Sequence, residues 1–223
     1  MHPSRVGLLV RPNPTRDHPP RGDIFITTIR NGAPALCPEG VDGYRSRLVP
    51  ARTMWGMRRP VRDRPKIPDG YGVPEIDQGV LEWSAVEERL EASSHYWMAT
   101  TRPNGRPHVV PRWGVWMDGL FWYDGSPDTI HVQNLAANPA CVLHLENGRQ
   151  AVMVEGLSET ADPPGLEFGG RLAAEFSGKY AELGYTPQPD SWEGPDAGGL
   201  LVFTPLKAMA WFDFPTDVTR FRF

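Results

Sequence analysis

Three of the six histidines, His108, His131 and His144, fall in segments patterned as strands or a short helix, where folding could bring their imidazoles together. Metal ligands usually come in tight spacings such as H-E-x-x-H or C-x-x-C, and the sequence has neither. Histidines alternating along strands more often face solvent or satisfy a local hydrogen bond, so no metal site is predicted. G-x-S-x-G, a phosphate loop with its lysine and G-x-G-x-x-G are also missing, and no Ser or Cys sits on a strand-to-helix elbow. Cys37 and Cys141 stand far apart and read as free thiols in a reducing compartment. The remaining chemistry-bearing residues are aromatic. At strand spacing Trp113 and Tyr123 face inward, while Trp116 and Trp122 are free to line a ligand groove or a subunit seam. Packing is the commoner reason for such residues.

These side chains must be carried by a regular set of elements that begins near Glu82. Ser84 and Glu87 have the spacing of a capping box, and Trp83, Val86 and Leu90 share a face of the helix it would open, which should end near Ser93. Tyr96–Thr101 reads as a strand, Arg102–Pro107 as a hairpin turn with Asn104-Gly105 at its tip, and His108–Met117 as a longer strand. Asp118-Gly119 turns the chain into a third strand, Leu120–Tyr123. Thr129–Asn138 reads as a short helix, capped by Asp128 or Thr129 and stopped by Pro139. Ala140–Leu145 and Gln150–Ser158 form a further hairpin. A longer helix over Gly165–Leu183 places Leu166, Leu172, Ala173, Phe176 and Tyr180 on one side. Leu200–Thr204 and Lys207–Phe212 read as a final strand pair. Six or seven antiparallel strands with inserted helices predict a mainly β, α+β domain of the closed or split β-barrel type.

The elements occupy only part of the chain. Residues 1–74 hold half of the 24 prolines and carry 13 Lys+Arg against 6 Asp+Glu, whereas residues 75–223 carry 10 against 21. Such a basic, Pro-rich stretch buries too little apolar surface to offset the entropy of ordering it. Residues 1–74 are therefore read as an extension, disordered over 1–53, and residues 75–223 as the folded domain. Met54 and Met57 sit just upstream of the regular pattern and admit a native start at either. The basic arm lacks the aromatics and regular spacing of a nucleic-acid binder, so none is expected. No apolar run approaches the roughly 20 residues of a membrane span, and Val6–Val10 is too short for a signal peptide, so a cytoplasmic location is expected.

Several pieces in fixed order are specific in combination: A-T-x-R-P-x-G-x-P-H over Ala99–His108, P-x-W at Pro111–Trp113, N-L-x-x-N-P from Asn134, V-x-V-E-G from Val152, and the terminal T-R-F-R-F. Together they resemble the pyridoxamine 5′-phosphate oxidase-like superfamily, most closely its actinobacterial members that use the deazaflavin coenzyme F420. The resemblance covers about two-thirds of the chain and implies a split-barrel homodimer with the cofactor in a groove between the barrels. It places Pro111 and Trp113 where the strand edge meets the cofactor ring, with Arg112, beside Pro111, able to supply positive charge to the cofactor phosphate from another direction. Thr129 and His131, at the start of the short helix, fall near its phosphate, where a helix N-terminus and N–H donors suit an anion. Asn134 braces or caps that helix, and Arg220 and Arg222 reach across the dimer. One departure stands out: where family members carry a basic S-R-K-type run, this chain has Thr129-Ile130-His131, and a histidine is a weaker phosphate partner at neutral pH.

The resemblance implies an oxidoreductase that transfers a hydride between reduced F420 and a small organic acceptor with an activated C=C bond. Its alternatives are an FMN-dependent oxidase or reductase on the same fold, and a non-catalytic dimeric flavin- or haem-binding protein. No catalytic residue is assigned; Tyr96, His108 and Tyr123 carry donor groups near the expected groove. Substrate specificity is expected from the Tyr185–Gly198 loop and the Gly165–Leu183 helix.

Overall fold

In chain order, β2 (Tyr96–Thr101) and β3 (Pro107–Arg112) pair in register from Tyr96 opposite Arg112 to Thr101 opposite Pro107. The computed structural model describes residues 59–194 and 199–223; the disorder read for residues 1–53 and the start positions Met54 and Met57 lie outside the described residues. The β2–β3 hairpin closes at Asn104-Gly105, where the Gly105 amide donates to the Arg102 carbonyl at 2.8 Å. β4 (Val115–Met117) and β5 (Leu120–Asp124) meet across Asp118-Gly119, both at positive φ (55° and 73°), which matches the twist of a two-residue hairpin. β6 (Ala140–His144) and β7 (Val152–Thr160) complete the centre.

The last elements organise the sheet. The region read as two strands is a single 11-residue strand, β8 (Leu200–Ala210). A register shift opposite Glu155/Gly156 absorbs Pro205-Leu206 as a bulge instead of ending the strand. One side of β8 pairs with β7 along its length. The other side is divided: Leu200–Phe203 pairs with β5, and Lys207–Ala210 pairs with β9 (Thr219–Arg222). This branching gives a nine-stranded, mostly antiparallel and open sheet that starts at β1 (Val61–Asp63), in the order β1-β9-β8-β7-β6-β2-β3, with β5 joined to β8 and β4 to β5. With three α-helices the fold is α+β, the expected split-barrel class with more strands than the expected six or seven.

The additional strands are β9, in the terminal T-R-F-R-F stretch, and β1 (Val61–Asp63), which pairs with it and lies inside the segment read as extension. Local composition concealed β1 because its partners are distant in sequence. Asp63 accepts from Arg220 Nε and Nη2 and from Arg222 Nη1, each at 2.8 Å. Arg64 is buried and donates to the carbonyls of Ile76, Gln78 and Val218, pinning the segment that follows β1. The Arg220 hydrogen bonds hold the Asp63 carboxyl at about 2, against 3.8 ordinarily. A carboxyl depressed on folding adds stability above its unfolded pKa and loses it as pH falls through the folded one. Because its side chain is still 26 % exposed, solvent screening trims this to about 1 kcal/mol. Thermal melts from about pH 4 down to 2 should show the wild type losing more stability than Asp63→Asn; parallel curves would rule out this linkage.

The first helix, α1 (Trp83–Ala92), begins two residues early for a capping box on Ser84: its N-cap is Glu82, and no side chain caps it. Glu87, expected to bond back to the cap, instead accepts the Trp116 indole N–H at 3.0 Å, because a tertiary donor lay within reach. Val86 and Leu90 enter the core as expected, and Trp83 packs edge-on to Phe221 and Phe223. In α3 (Leu166–Tyr180) the buried face is Gly169, Leu172, Ala173, Phe176 and Tyr180, while Leu166 in the first turn is 66 % exposed.

Candidate functional site

The strand expected over His108–Met117 breaks at Trp113-Gly114, and the candidate site is built around that break. The Tyr180 hydroxyl holds it: it accepts the Gly114 amide at 2.9 Å and lies 2.8 Å from the Gly114 carbonyl and 2.9 Å from that of Ser94. The Tyr180 ring stacks on Trp113 with centroids 5.0 Å apart and planes 10° apart. The Trp113 indole N–H donates to His95 Nε2 at 3.1 Å. Trp113 is thus turned outward and its plane fixed.

This reverses the expectation for the tryptophans. Trp113 is 38 % exposed, while Trp116 and Trp122 are 3 % and 6 % exposed. Strict alternation fails twice. The break at Gly114 resets which face each residue takes. Helix α3 then covers the outer face of β4–β5, so Val115, Met117 and Trp122 join Leu172, Phe176 and Trp192 in a second core, while Trp116, Phe121 and Tyr123 enter the first. A hairpin buried on both faces carries no polar stripe to read.

Trp113 forms one wall of a groove of about 300 Å³, lined also by Pro111, Arg112, Asp124, Phe176 and Tyr185. The Tyr185 hydroxyl donates to Asp124 Oδ2, and the Trp192 indole N–H donates to Asp124 Oδ1 at 2.7 Å, fixing the segment after α3 against β5. Burial, then the Asp124 carboxylate, raises the Tyr185 hydroxyl well above the ordinary phenol range. Arg112 is half-buried, its Nη2 donates to the Asp124 main-chain carbonyl, and desolvation lowers its pKa.

His131 sits at the second position of α2 (Ile130–Ala137) and is 2 % exposed, not at the surface. Burial, then repulsion from Arg112 and His108, lowers it to about 4, so it is neutral at pH 7 and offers hydrogen bonding without charge. Among the described residues, the buried side-chain nitrogens without a hydrogen-bond partner are Arg112 Nε and His131 Nε2. Thr129 occupies the N-cap position of α2, but its hydroxyl donates backwards to the Ser126 carbonyl at 2.7 Å and caps nothing. Buried Asn134 donates to Thr100 Oγ1 at 2.9 Å, tying α2 to β2.

The structure therefore gathers Pro111, Arg112 and Trp113 in one groove and places His131 in the field of Arg112. Arg220 and Arg222 do not line that groove in the single chain; both are spent on Asp63. Tyr96 and Tyr123 are fully buried, their hydroxyls bonded to the Leu90 carbonyl and to Ser158, and burial raises both far above the ordinary range. They are core groups and cannot donate protons to a ligand. His108 lies 3.5 Å from Thr100 Oγ1 on β3, away from the groove lining. Asp124, at the end of β5, carries no motif and was given no role by the sequence; Tyr180, the last residue of α3, and Tyr185, just after it, fall in the helix and loop expected to set specificity but were not singled out as site residues. Sequence reasoning also missed Lys179, whose Nζ donates to the Ser93 carbonyl and Tyr96 hydroxyl and is lowered by burial to about 8. Cys141 is buried and free, its thiol pushed up to about 12 by burial, which leaves it inert. No group of metal-ligating side chains occurs among the described residues, and no described helix is long and apolar enough to cross a membrane.

A family model described as pyridoxamine 5′-phosphate oxidase matches residues 83–209, more than half of the chain and the whole of the groove lining. The chain belongs to this family. Solved structures similar to this oxidase-family chain include the conserved hypothetical protein Rv2991 from Mycobacterium tuberculosis. It is 20 % identical with a TM-score of 0.50, over 62 % of this chain and 89 % of that one. A protein named F420 reductase is 22 % identical with a TM-score of 0.42, over 64 % of this chain and 98 % of that one. The haem storage protein HutZ from Vibrio cholerae is 16 % identical with a TM-score of 0.43, over 55 % and 88 %. At these identities the likeness is one of fold. No curated protein matches the sequence.

Proposed function

We infer that this pyridoxamine 5′-phosphate oxidase-family chain is an oxidoreductase that moves a hydride between reduced F420 and a small organic acceptor with an activated C=C bond. The observation that carries the reading is the pair of unpartnered buried nitrogens, Arg112 Nε and His131 Nε2, on residues that the family motifs align with the cofactor. A buried donor left unpaired costs about 1–3 kcal/mol, and a bound anion or ring heteroatom is one way to recover it. The groove fits a flat, phosphate-tailed ring: Trp113, Phe176 and Tyr185 supply aromatic walls and Arg112 supplies the cation. When bound, F420 supplies the carbon that gives or takes the hydride. The chain's own residues bind and orient it: Trp113 holds one ring plane, Arg112 offsets negative charge, and His131 adds a neutral hydrogen bond. A homodimer is part of this reading. β3 ends the strand order of the sheet and exposes Val109 to 50 %, next to the groove, where a second copy would cover both.

The test is a thermal shift of the full chain with F420, FMN and pyridoxal phosphate in parallel, followed by turnover of reduced F420 with enones and quinones. F420 should raise the melting temperature most and be oxidised faster than in buffer. If no compound stabilises the protein, the reading fails. One observation favours a second reading, a non-catalytic flavin- or haem-binding protein. His131 is neutral and Arg220 and Arg222 are occupied by Asp63, so one chain offers little positive charge to a phosphate. Stabilisation without turnover would select it.

A further inference from the structure

Trp113, an aromatic wall of the groove, is held by two contacts of different kinds. Stacking on Tyr180, with planes 10° apart, resists tilting but lets parallel rings turn and slide in plane. The in-plane anchor is a hydrogen bond at the ring edge, from the indole Nε1–H to His95 Nε2 at 3.1 Å. An indole nitrogen only donates, so His95 Nε2 must be a bare acceptor. The imidazole is therefore neutral with its proton on Nδ1, which donates to Ser94 Oγ at 2.9 Å. Among the described residues, Ser94 and Trp113 are the hydrogen-bond partners of the His95 ring. The segment that carries the ring, between α1 and β2, is itself fixed by the end of α3. Lys179 Nζ donates to the Ser93 carbonyl at 2.9 Å, and the Tyr180 hydroxyl lies 2.9 Å from the Ser94 carbonyl. His95 is half-buried, so its ring exchanges protons with solvent.

We propose that His95 is the positioning residue for the Trp113 wall and holds it only as the neutral imidazole, so that acidification frees the wall and weakens the binding of a flat ring. Histidines gain their second proton between about pH 8 and 5. The added Nε2–H faces the indole N–H, donor against donor, and the bond is lost. Trp113 then keeps its stack but not its in-plane orientation. The charged and titratable groups around this segment are Glu91 on α1, Arg112 on β3, and Lys179 with its neighbours Glu175 and Tyr180 on α3. His95→Gln leaves all of them in place, so a difference between variant and wild type belongs to His95. Its amide oxygen accepts from the indole N–H and does not titrate.

The hold on Trp113 is read on the full chain without any ligand, from its indole N–H signal in nitrogen–proton NMR, identified by its absence from Trp113→Phe. Between about pH 7.5 and 5.5 the wild-type signal should move, and in His95→Gln it should stay. The effect on binding, which rests on the groove holding a ring cofactor as proposed above, is read by titrating FMN into both proteins. At about pH 7.5 their affinities should agree within about twofold. At about pH 5.5 the wild type should bind about fivefold more weakly than His95→Gln, the loss of one hydrogen bond. Protonation of the FMN phosphate is common to both proteins and cancels in the ratio. A wild-type signal that stays still overturns the proposal, and this needs no variant to fold. So does a signal that moves alike in His95→Gln, or an affinity ratio that is the same at both pH values. If neither FMN nor F420 binds either protein, the functional reading fails, while the indole signal still decides whether His95 holds Trp113.

Discussion

Replacing Gly114 by alanine is expected to lower the stability of the protein by about 3 kcal/mol, the upper end for overpacking a core, and the melting temperature by roughly 10 °C. A Cβ at this position would sit 2.3 Å and 2.5 Å from ring atoms of Phe121 and 2.6 Å from the Trp122 carbonyl. Phe121 is fully buried and packs against Tyr96 and Tyr123, so its ring has nowhere to go. Nor can the backbone withdraw, because the Tyr180 hydroxyl grips both the amide and the carbonyl of Gly114. Relief therefore requires breaking those bonds and releasing Trp113 from its stack, so the variant should also bind ring ligands more weakly. Differential scanning calorimetry checks the first effect. A Gly114→Ala melting temperature within about 2 °C of the wild type would show that the break at Trp113-Gly114 is not held as described.

Arg112→Gln is expected to weaken cofactor binding about a hundredfold, some 2.7 kcal/mol, the range for losing a charge-assisted hydrogen bond together with its electrostatic attraction. Arg112 is the cation that lines the groove, and the neighbouring His131 is neutral at pH 7, so no second positive charge from that pair replaces it. The cost to the unliganded protein should be small, since the lost bond to the Asp124 carbonyl can be remade by glutamine. Titration of F420 and FMN into both proteins measures the ratio. Equal affinities would remove Arg112 from the cofactor site and with it the main support for the redox reading.

By itself the sequence determined the elements whose signal is local. The β2–β3 hairpin followed from Asn104-Gly105 between alternating runs, β5 from the Asp118-Gly119 turn, and α2 from its stop at Pro139, because turn and helix-end chemistry depends on a few neighbouring residues. The family motifs likewise lie in contiguous stretches and marked Pro111, Arg112 and Trp113 before their geometry was known. The tertiary structure decided what depends on partners far along the chain. β1 is a strand only because β9 lies beside it, 157 residues from Asp63 to Arg220. Glu87 left its cap for Trp116, and Arg220 and Arg222 were drawn to Asp63. Trp113 faces outward and Trp122 inward because Tyr180 holds a break in the strand and α3 covers the sheet's second face. Periodicity reports which side a residue takes only while the strand is unbroken and one of its faces stays wet; here neither condition holds around the groove.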